Sequence, residues 1–298
     1  MKYNQLGKSD LQVSEISFGC MSLGTNHVAN RALLHQALDQ GITLFDTADL
    51  YQKGENEVTL GKAFKERRKE VVLATKVGNA WRPDGSGWEW APSKEYLLHA
   101  VERSLQRLAT DYIDLYQLHG GTLDDPIDDI IEAFELLKQQ GKIRAYGISS
   151  IRPNVIREYA QRSQIASVMM QYSLLDRRPE ESSLHLLREQ NIAVLARGSF
   201  AQGLLVSKAA KTYLDYSEQE VGQMAAVVQQ VAATSQRTAA EVAARFALHH
   251  PAITSAVLGI RTELQLSDNL HIAAAPLAGA EVEILQRAVG PNVYEQHR

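Results

Sequence analysis

IDLYQLHGGTLDDPIDDIIEAFELLKQQGKIRAYGI, residues 113–148, is the stretch whose reading decides the fold. It opens on IDLYQL and closes on IRAYGI, two largely apolar runs of strand length that read as buried parallel strands. Between them PIDDIIEAFELLKQQG carries apolar residues at helical spacing and ends on a glycine suited to a helix C-terminus. Strand, helix and strand in that order imply a parallel pair with a crossover helix.

The same alternation runs outward in both directions. Further strands are predicted at ISFGC (16–20), ITLFD (42–46), VVLAT (71–75), ASVMMQ (166–171), IAVLA (192–196) and TSAVLG (254–259). Helix-like stretches such as NRALLHQALDQG, SKEYLLHAVERSLQRLA and ESSLHLLREQN separate them. Eight such units in about 250 residues are the count of an α/β protein of the (β/α)8, or TIM, barrel type. No linker rich in Pro, Gly or Ser divides the chain, so residues 1–298 are expected to form a single domain. Ahead of the first strand, YNQLGKSDLQVS predicts a β-hairpin turning at Gly7 to Ser9 and capping the barrel's N-terminal end.

Composition narrows the function classes. A net charge of -4, a pI of about 6.2 and the lack of a basic stripe interleaved with aromatics argue against nucleic acid. One cysteine excludes an internal disulfide framework and fits a reducing compartment. MKYNQLGKSDLQVSEIS resembles neither a secretory signal nor a membrane span, so a cytoplasmic address and no membrane partner are expected. With no His-x-His or His-Glu-x-x-His pattern, no metal is expected. DGSGWEW lacks the third glycine of a dinucleotide-binding loop and opens no helix.

In a barrel the C-terminal strand ends share one rim, and function collects there. Asp46 and Tyr51 follow ITLF, Lys76 follows VVLAT and His119 follows IDLYQL, so an acid, a phenol, an amine and an imidazole converge. Lys beside Asp forms an ion pair, and a cation against a phenol favours the phenolate, which predicts a lowered tyrosine pKa and a proton donor for a carbonyl oxygen. Ser149 and Ser150 end strand five, Gln171 and Tyr172 strand six, Arg197 and Gly198 strand seven. Gly259, Ile260 and Arg261 end strand eight, where barrels commonly bind phosphate.

FDTADLY followed by GENE, then ATKVG, DYIDLYQLHG, GKIRAYGISS, MQYSLLDR, ARGSFAQGLL and GIRTELQLSDN resemble, in order, the motifs of the aldo-keto reductases, and in particular bacterial members with a short C-terminal tail. The resemblance covers nearly the whole chain. It implies reduction of aldehydes or ketones by hydride transfer from NADPH, with Tyr51 as general acid, Lys76 and Asp46 tuning it and His119 orienting the carbonyl. It also implies cofactor contacts at Gly19, Cys20, Met21, Asp46, Ser149, Ser150, Gln171, Arg197, Gly198, Ser199, Phe200, Gln202, Gly203, Leu204, Gly259, Ile260, Arg261, Thr262, Gln265, Asp268 and Asn269.

Two positions depart from the family's pattern. Ser150 stands where an Asn often holds the carboxamide, and Arg197 where a tyrosine often stacks on the nicotinamide, the variation of a subgroup with an ARG-type segment. Gln265 stands where some relatives place a second arginine. The family also contains the potassium-channel β subunits, so the alternative function is a cofactor-sensing binding protein. Trp81, Trp88 and Trp90 fall in a long loop after strand three and serve either to pack that loop or to wall a substrate. The carbonyl substrate is set by loops at 79–92, 120–126 and 199–217 and by the tail after Gly290, whose short hydrophilic PNVYEQHR suggests an open pocket. Oligomeric state is not legible.

Overall fold

Eight parallel strands close on themselves in the computed structural model, which describes residues 1–272 and 275–298. They are β1 (Ile16–Gly19), β2 (Leu44–Asp46), β3 (Val72–Val77), β4 (Ile113–Leu118), β5 (Ile143–Ser149), β6 (Ser167–Gln171), β7 (Ala193–Arg197) and β8 (Ile253–Gly259). Each pairs in parallel with the next and β8 pairs with β1, which leaves no free edge. Helices α1 (His27–Asp39), α2 (Glu55–Phe64), α3 (Lys94–Leu108), α4 (Ile127–Gln139), α5 (Pro153–Arg162) and α6 (Ser183–Glu189) connect consecutive strands. Between β7 and β8 the chain inserts two, α7 (Glu218–Thr234) and α8 (Ala239–His249), and after β8 it adds α9 (Glu263–His271) and α10 (Gly279–Ala288). No helix among the described residues is long and apolar enough to cross a membrane.

The expected helix ends are where the sequence put them. Gly41, Gly141 and Asn191 follow α1, α4 and α6 with positive φ of 95°, 72° and 52°, a conformation that glycine and asparagine tolerate best. At the start of α1, Asn26 accepts hydrogen bonds from the amides of Val28 and Ala29, and Ser93 accepts from Tyr96 at the start of α3.

Two faces of the strands build two cores. One packs strands against helices; the other, which includes Leu44, Ala74, Leu115, Met169, Leu195 and Val257, fills the barrel interior. The predicted hairpin forms from Tyr3–Gln5 and Gln12–Ser14, and its Leu6, Leu11 and Val13 complete that interior core as a plug. Each fully buried aliphatic chain of this kind contributes about 1.5–3 kcal/mol. Side chains alternate along a strand, so the residue two places beyond each interior residue also faces inward, one layer nearer the mouth. Those residues are Asp46, Lys76, Gln117, Gln171, Arg197 and Gly259.

The loop after β3 contains a second hairpin, Asn79–Trp81 with Trp88–Trp90, that three-residue strands made invisible in the sequence pattern. The tail is docked down rather than loose. Asn292 accepts from the Arg177 amide, Tyr294 lies 5.0 Å beneath the Arg178 guanidinium, and Arg298 pairs with Glu181 at 2.7 Å.

Candidate active site

Asp46 and Lys76 meet inside the mouth because β2 and β3 are neighbours and both side chains face inward. Lys76 Nζ lies 2.7 Å from each carboxylate oxygen and donates to the Thr47 carbonyl at 2.7 Å. Lys76 is 1% and Asp46 5% exposed. Such depth costs desolvation on both sides, so a pair buried like this is a weak net source of stability.

Tyr51 reaches the pair from a turn that the backbone strains to make. Gln52, Lys53 and Gly54 follow it with φ of 51°, 55° and 92°, three consecutive left-handed residues of which two carry side chains. Each left-handed non-glycine residue costs on the order of 1 kcal/mol or more, so the surroundings must hold them. Gln52 Nε2 donates to the Leu23 carbonyl at 2.6 Å. Beneath Gly54 lies the Arg107 side chain, which a Cβ would meet at 2.7 Å. Arg107 is locked to Glu57 at 2.6 Å, and Glu57 accepts from Thr75 Oγ1 at 2.6 Å, one residue before Lys76. One chain of contacts therefore links the Tyr51 turn to the Lys76 strand.

The phenol oxygen is 3.5 Å from Lys76 Nζ, and the ammonium stands 5.1 Å from the ring centroid. His119 follows β4, with its amide bonded to the Val77 carbonyl and its ring edge-on to Tyr51 at 5.9 Å. All four residues expected to converge do so.

Electrostatics differ from the sequence expectation in one sign. Burial pushes the Tyr51 phenol above its usual pKa, and the pull of Lys76 in the other direction is smaller, so the net shift is upward. Tyr51 is thereby held protonated at neutral pH. Burial pushes Asp46 up against Lys76, while Asp46 and Tyr51 hold the Lys76 ammonium above its ordinary value despite its own burial. Burial, then Lys76 and Arg197, lowers His119 to about 3, so its imidazole is neutral. A neutral imidazole can donate one N–H to an oxygen without adding charge. Cys20 is buried and its thiol pushed well up by that burial, which makes it a packed residue rather than a nucleophile.

Around the rim Ser149 ends β5, and Ser150 is nearly buried with its hydroxyl accepting from the Arg152 amide. Gln171 donates to Asp176 at 2.8 Å and to Tyr213 at 3.0 Å, and accepts from Arg197 at 3.0 Å. Arg197 is exposed at the end of β7 and makes that contact across the paired register Gln171 to Arg197. Beyond it Gly198, Ala201, Gln202 and Gly203 all have positive φ, and the Ser199 hydroxyl is buried without a partner among the described residues. Phe200 is partly buried beside them.

After β8, Thr262 caps α9 by accepting from the Gln265 amide, and Gln265 accepts from the amide of the exposed Arg261. Asp268 borders a cavity of about 410 Å³ with Val206, Arg237 and Ala240, and Asn269 is buried beside it. Gly19 and Gly259 pair where β1 meets β8, and Met21 is exposed just beyond. Cys20, Ile260 and Leu204 are 0, 0 and 1% exposed, so their side chains are packed beneath the mouth.

Three residues near the site were not singled out from the sequence. Gln117 pairs in register with Lys76, is fully buried and has no partner among the described residues for either amide atom; its signal was a polar residue inside an apolar strand. Asp49 is buried, and burial followed by Glu57 raises its carboxyl to about 7. Arg107 gave no signal at all, being one charge among several on α3.

A model of the Aldo/keto reductase family matches residues 15–289. The chain is 48% identical to the uncharacterized oxidoreductase YqkF of Bacillus subtilis over 100% of both chains. It is 34% identical to the NADH-specific methylglyoxal reductase of Escherichia coli, covering 72% of each. Among solved structures, the aldo-keto reductase AKR11C1 from Bacillus halodurans (holo form) superposes with a TM-score of 0.95 at 49% identity, over 100% of this chain and 99% of that one. The protein belongs to the aldo/keto reductase family of oxidoreductases.

Proposed function

We propose that the protein reduces aldehydes or ketones to alcohols with NADPH, Tyr51 giving the proton. The observation that carries this reading is a phenol held protonated by burial, 3.5 Å from an ammonium locked to Asp46 and facing a neutral imidazole. When bound, the reduced nicotinamide supplies a hydride to the carbonyl carbon. His119 donates a hydrogen bond to the carbonyl oxygen and orients it. Tyr51 hands its proton to that oxygen as negative charge develops there, and Lys76 stabilises the phenolate left behind. Asp46 keeps Lys76 charged and in place.

The residues present fit such a cofactor. The left-handed turns from Gly198 to Gly203 belong to the kind of backbone whose amides gather around anions, and the buried Ser199 hydroxyl adds a donor. Ser149, Ser150 and Gln171 offer amide and hydroxyl groups for the carboxamide, and Arg197, clipped to Gln171, stands beside them. The cavity that Asp268 of α9 borders with the facing ends of α7 and α8 would take the adenosine end, with Asn269 next to Asp268 on α9. Consumption of NADPH with 4-nitrobenzaldehyde tests the reading: a saturable, enzyme-dependent loss of NADPH absorbance is expected, and none would overturn it.

Arg261 is assigned the adenosine 2′-phosphate, because its exposed guanidinium can donate two parallel hydrogen bonds to phosphate. A charge-assisted hydrogen bond contributes about 1.5–3 kcal/mol, or roughly tenfold to a hundredfold in affinity. Gln265 turns its oxygen to the Arg261 amide and adds no cation, which places the preference in the lower part of that range. In fluorescence titrations Arg261→Ala should weaken NADPH binding by about tenfold and leave NADH nearly unchanged. Equal losses for both would place Arg261 elsewhere. The NADH-specific relative from Escherichia coli makes this a discriminating measurement.

A further inference from the structure

The hairpin after β3 carries all three tryptophans of the chain. In its register Asn79 faces Trp90 and Trp81 faces Trp88, so all four side chains share one face. The inner rung is pinned to the rim beside the catalytic residues. Trp90 lies over Gly78 and Gly120, where a Cβ would meet its ring at 2.6 and 3.4 Å, and its Nε1 donates to Asp125. Asn79 Nδ2 reaches the His119 carbonyl at 3.4 Å. The outer rung is left open, with Trp81 37% and Trp88 50% exposed. The face that begins at His119 therefore continues outward as an aromatic wall.

A cation stands against this wall. Lys53, two residues after Tyr51 on the same left-handed turn, places its ammonium 5.1 Å from the centroid of the Trp81 ring. Among the described residues it enters no ion pair, although the neighbouring Arg82 pairs with Glu89 and the Asp84 carboxylate is engaged by the Ser86 amide. The turn geometry that aims Tyr51 inward also aims Lys53 at the hairpin. Indole and ammonium thus present, side by side, a flat apolar surface and an unshared positive charge.

We propose that Lys53 with Trp81 and Trp88 forms a substrate subsite that selects carbonyl compounds with an aromatic body carrying a carboxylate. This rests on the reading of the protein as a carbonyl reductase. The aromatic body lies along the tryptophans while its carboxylate pairs with Lys53, leaving the carbonyl group between Tyr51 and His119. An exposed ion pair of this kind gives about fivefold in affinity at most and weakens with salt.

All three tryptophans of the chain lie in this hairpin, so intrinsic tryptophan fluorescence reports on the subsite without turnover or cofactor. Titration with benzoate and with its neutral isostere benzamide is expected to show benzoate binding about fivefold tighter to the wild type. Lys53→Met should erase that difference, and so should high salt. In turnover, the preference for para-formylbenzoate over its methyl ester, read as the ratio of their kcat/KM values, should fall about fivefold in Lys53→Met, with the loss carried by KM. Equal binding of benzoate and benzamide to the wild type, or a preference that survives Lys53→Met, would overturn the assignment. Lys53-dependent benzoate binding in a protein that reduces neither aldehyde would instead sink the reductase reading and leave the subsite standing.

Discussion

Tyr51→Phe is expected to lower kcat by about 10²- to 10⁴-fold, the range general acid catalysis supplies, with NADPH affinity nearly unchanged. The ring packs edge-on to His119 and under the Lys76 ammonium, and phenylalanine preserves both contacts. Only the hydroxyl is lost, and with it the transferable proton. The phenol makes one long polar contact, to Lys76 at 3.5 Å, so its removal exposes no strong buried partner and folding should be spared. Steady-state kinetics beside a fluorescence titration of NADPH separates the two effects. A variant keeping more than about a tenth of the wild-type rate would remove Tyr51 from the role.

Lys76→Met should also cut the rate severely, and it tests the electrostatics. Burial already holds the phenol above its usual pKa while Lys76 pulls it down, so removing the cation moves the phenol further up. An opposite charge this close favours the ionised phenol, and its loss disfavours it. Alcohol oxidation needs the phenolate, so its rate rises with pH through the Tyr51 pKa, and the variant's alkaline limb should lie at higher pH. Carbonyl reduction needs the phenol, so its loss at high pH should likewise move upward. The substitution also strands Asp46 in the interior, where breaking a buried pair costs about 3–5 kcal/mol. Combining it with Asp46→Asn should recover thermal stability but not the pH profile. An unshifted profile in folded Lys76→Met would make the ion pair purely structural.

Legibility in the sequence followed burial. The eight strands could be read because both faces of each are covered, which leaves continuous apolar runs, and every end lies within two residues of the expected one. At β3 the strand continues through Lys76 to Val77 instead of stopping at Thr75. Lys76 can sit inside the strand because Asp46 faces it from the neighbouring strand. The four residues at the centre of the site were legible for the related reason that polar groups at strand ends of a closed barrel have one place to point.

What was not legible depends on tertiary distance. Lys76 beside Tyr51 can be read from strand order, but not how deeply the phenol is buried, and burial decided the sign of its shift. Gly54 hinted at the strained turn, while the left-handed Gln52 and Lys53 and the Arg107 support beneath them carried no local signal. Strands of three residues are too short for a period-two pattern, so the tryptophan hairpin was read as loop. Motif matching placed Cys20, Leu204 and Ile260 with the cofactor, yet could not show that these side chains turn into the packing between strands and helices.

The central claim, that a proton from Tyr51 and a hydride from NADPH meet on one carbonyl group, is tested most directly by isotope transfer. Wild-type enzyme is supplied with 4-nitrobenzaldehyde and NADPH carrying deuterium at the reactive position of the nicotinamide, and the alcohol is examined by mass spectrometry. The expected product is 4-nitrobenzyl alcohol with one deuterium on the carbinol carbon, formed in step with NADPH consumed. Tight NADPH binding with no alcohol above the enzyme-free background, the behaviour of a cofactor sensor, or alcohol without deuterium, would contradict it.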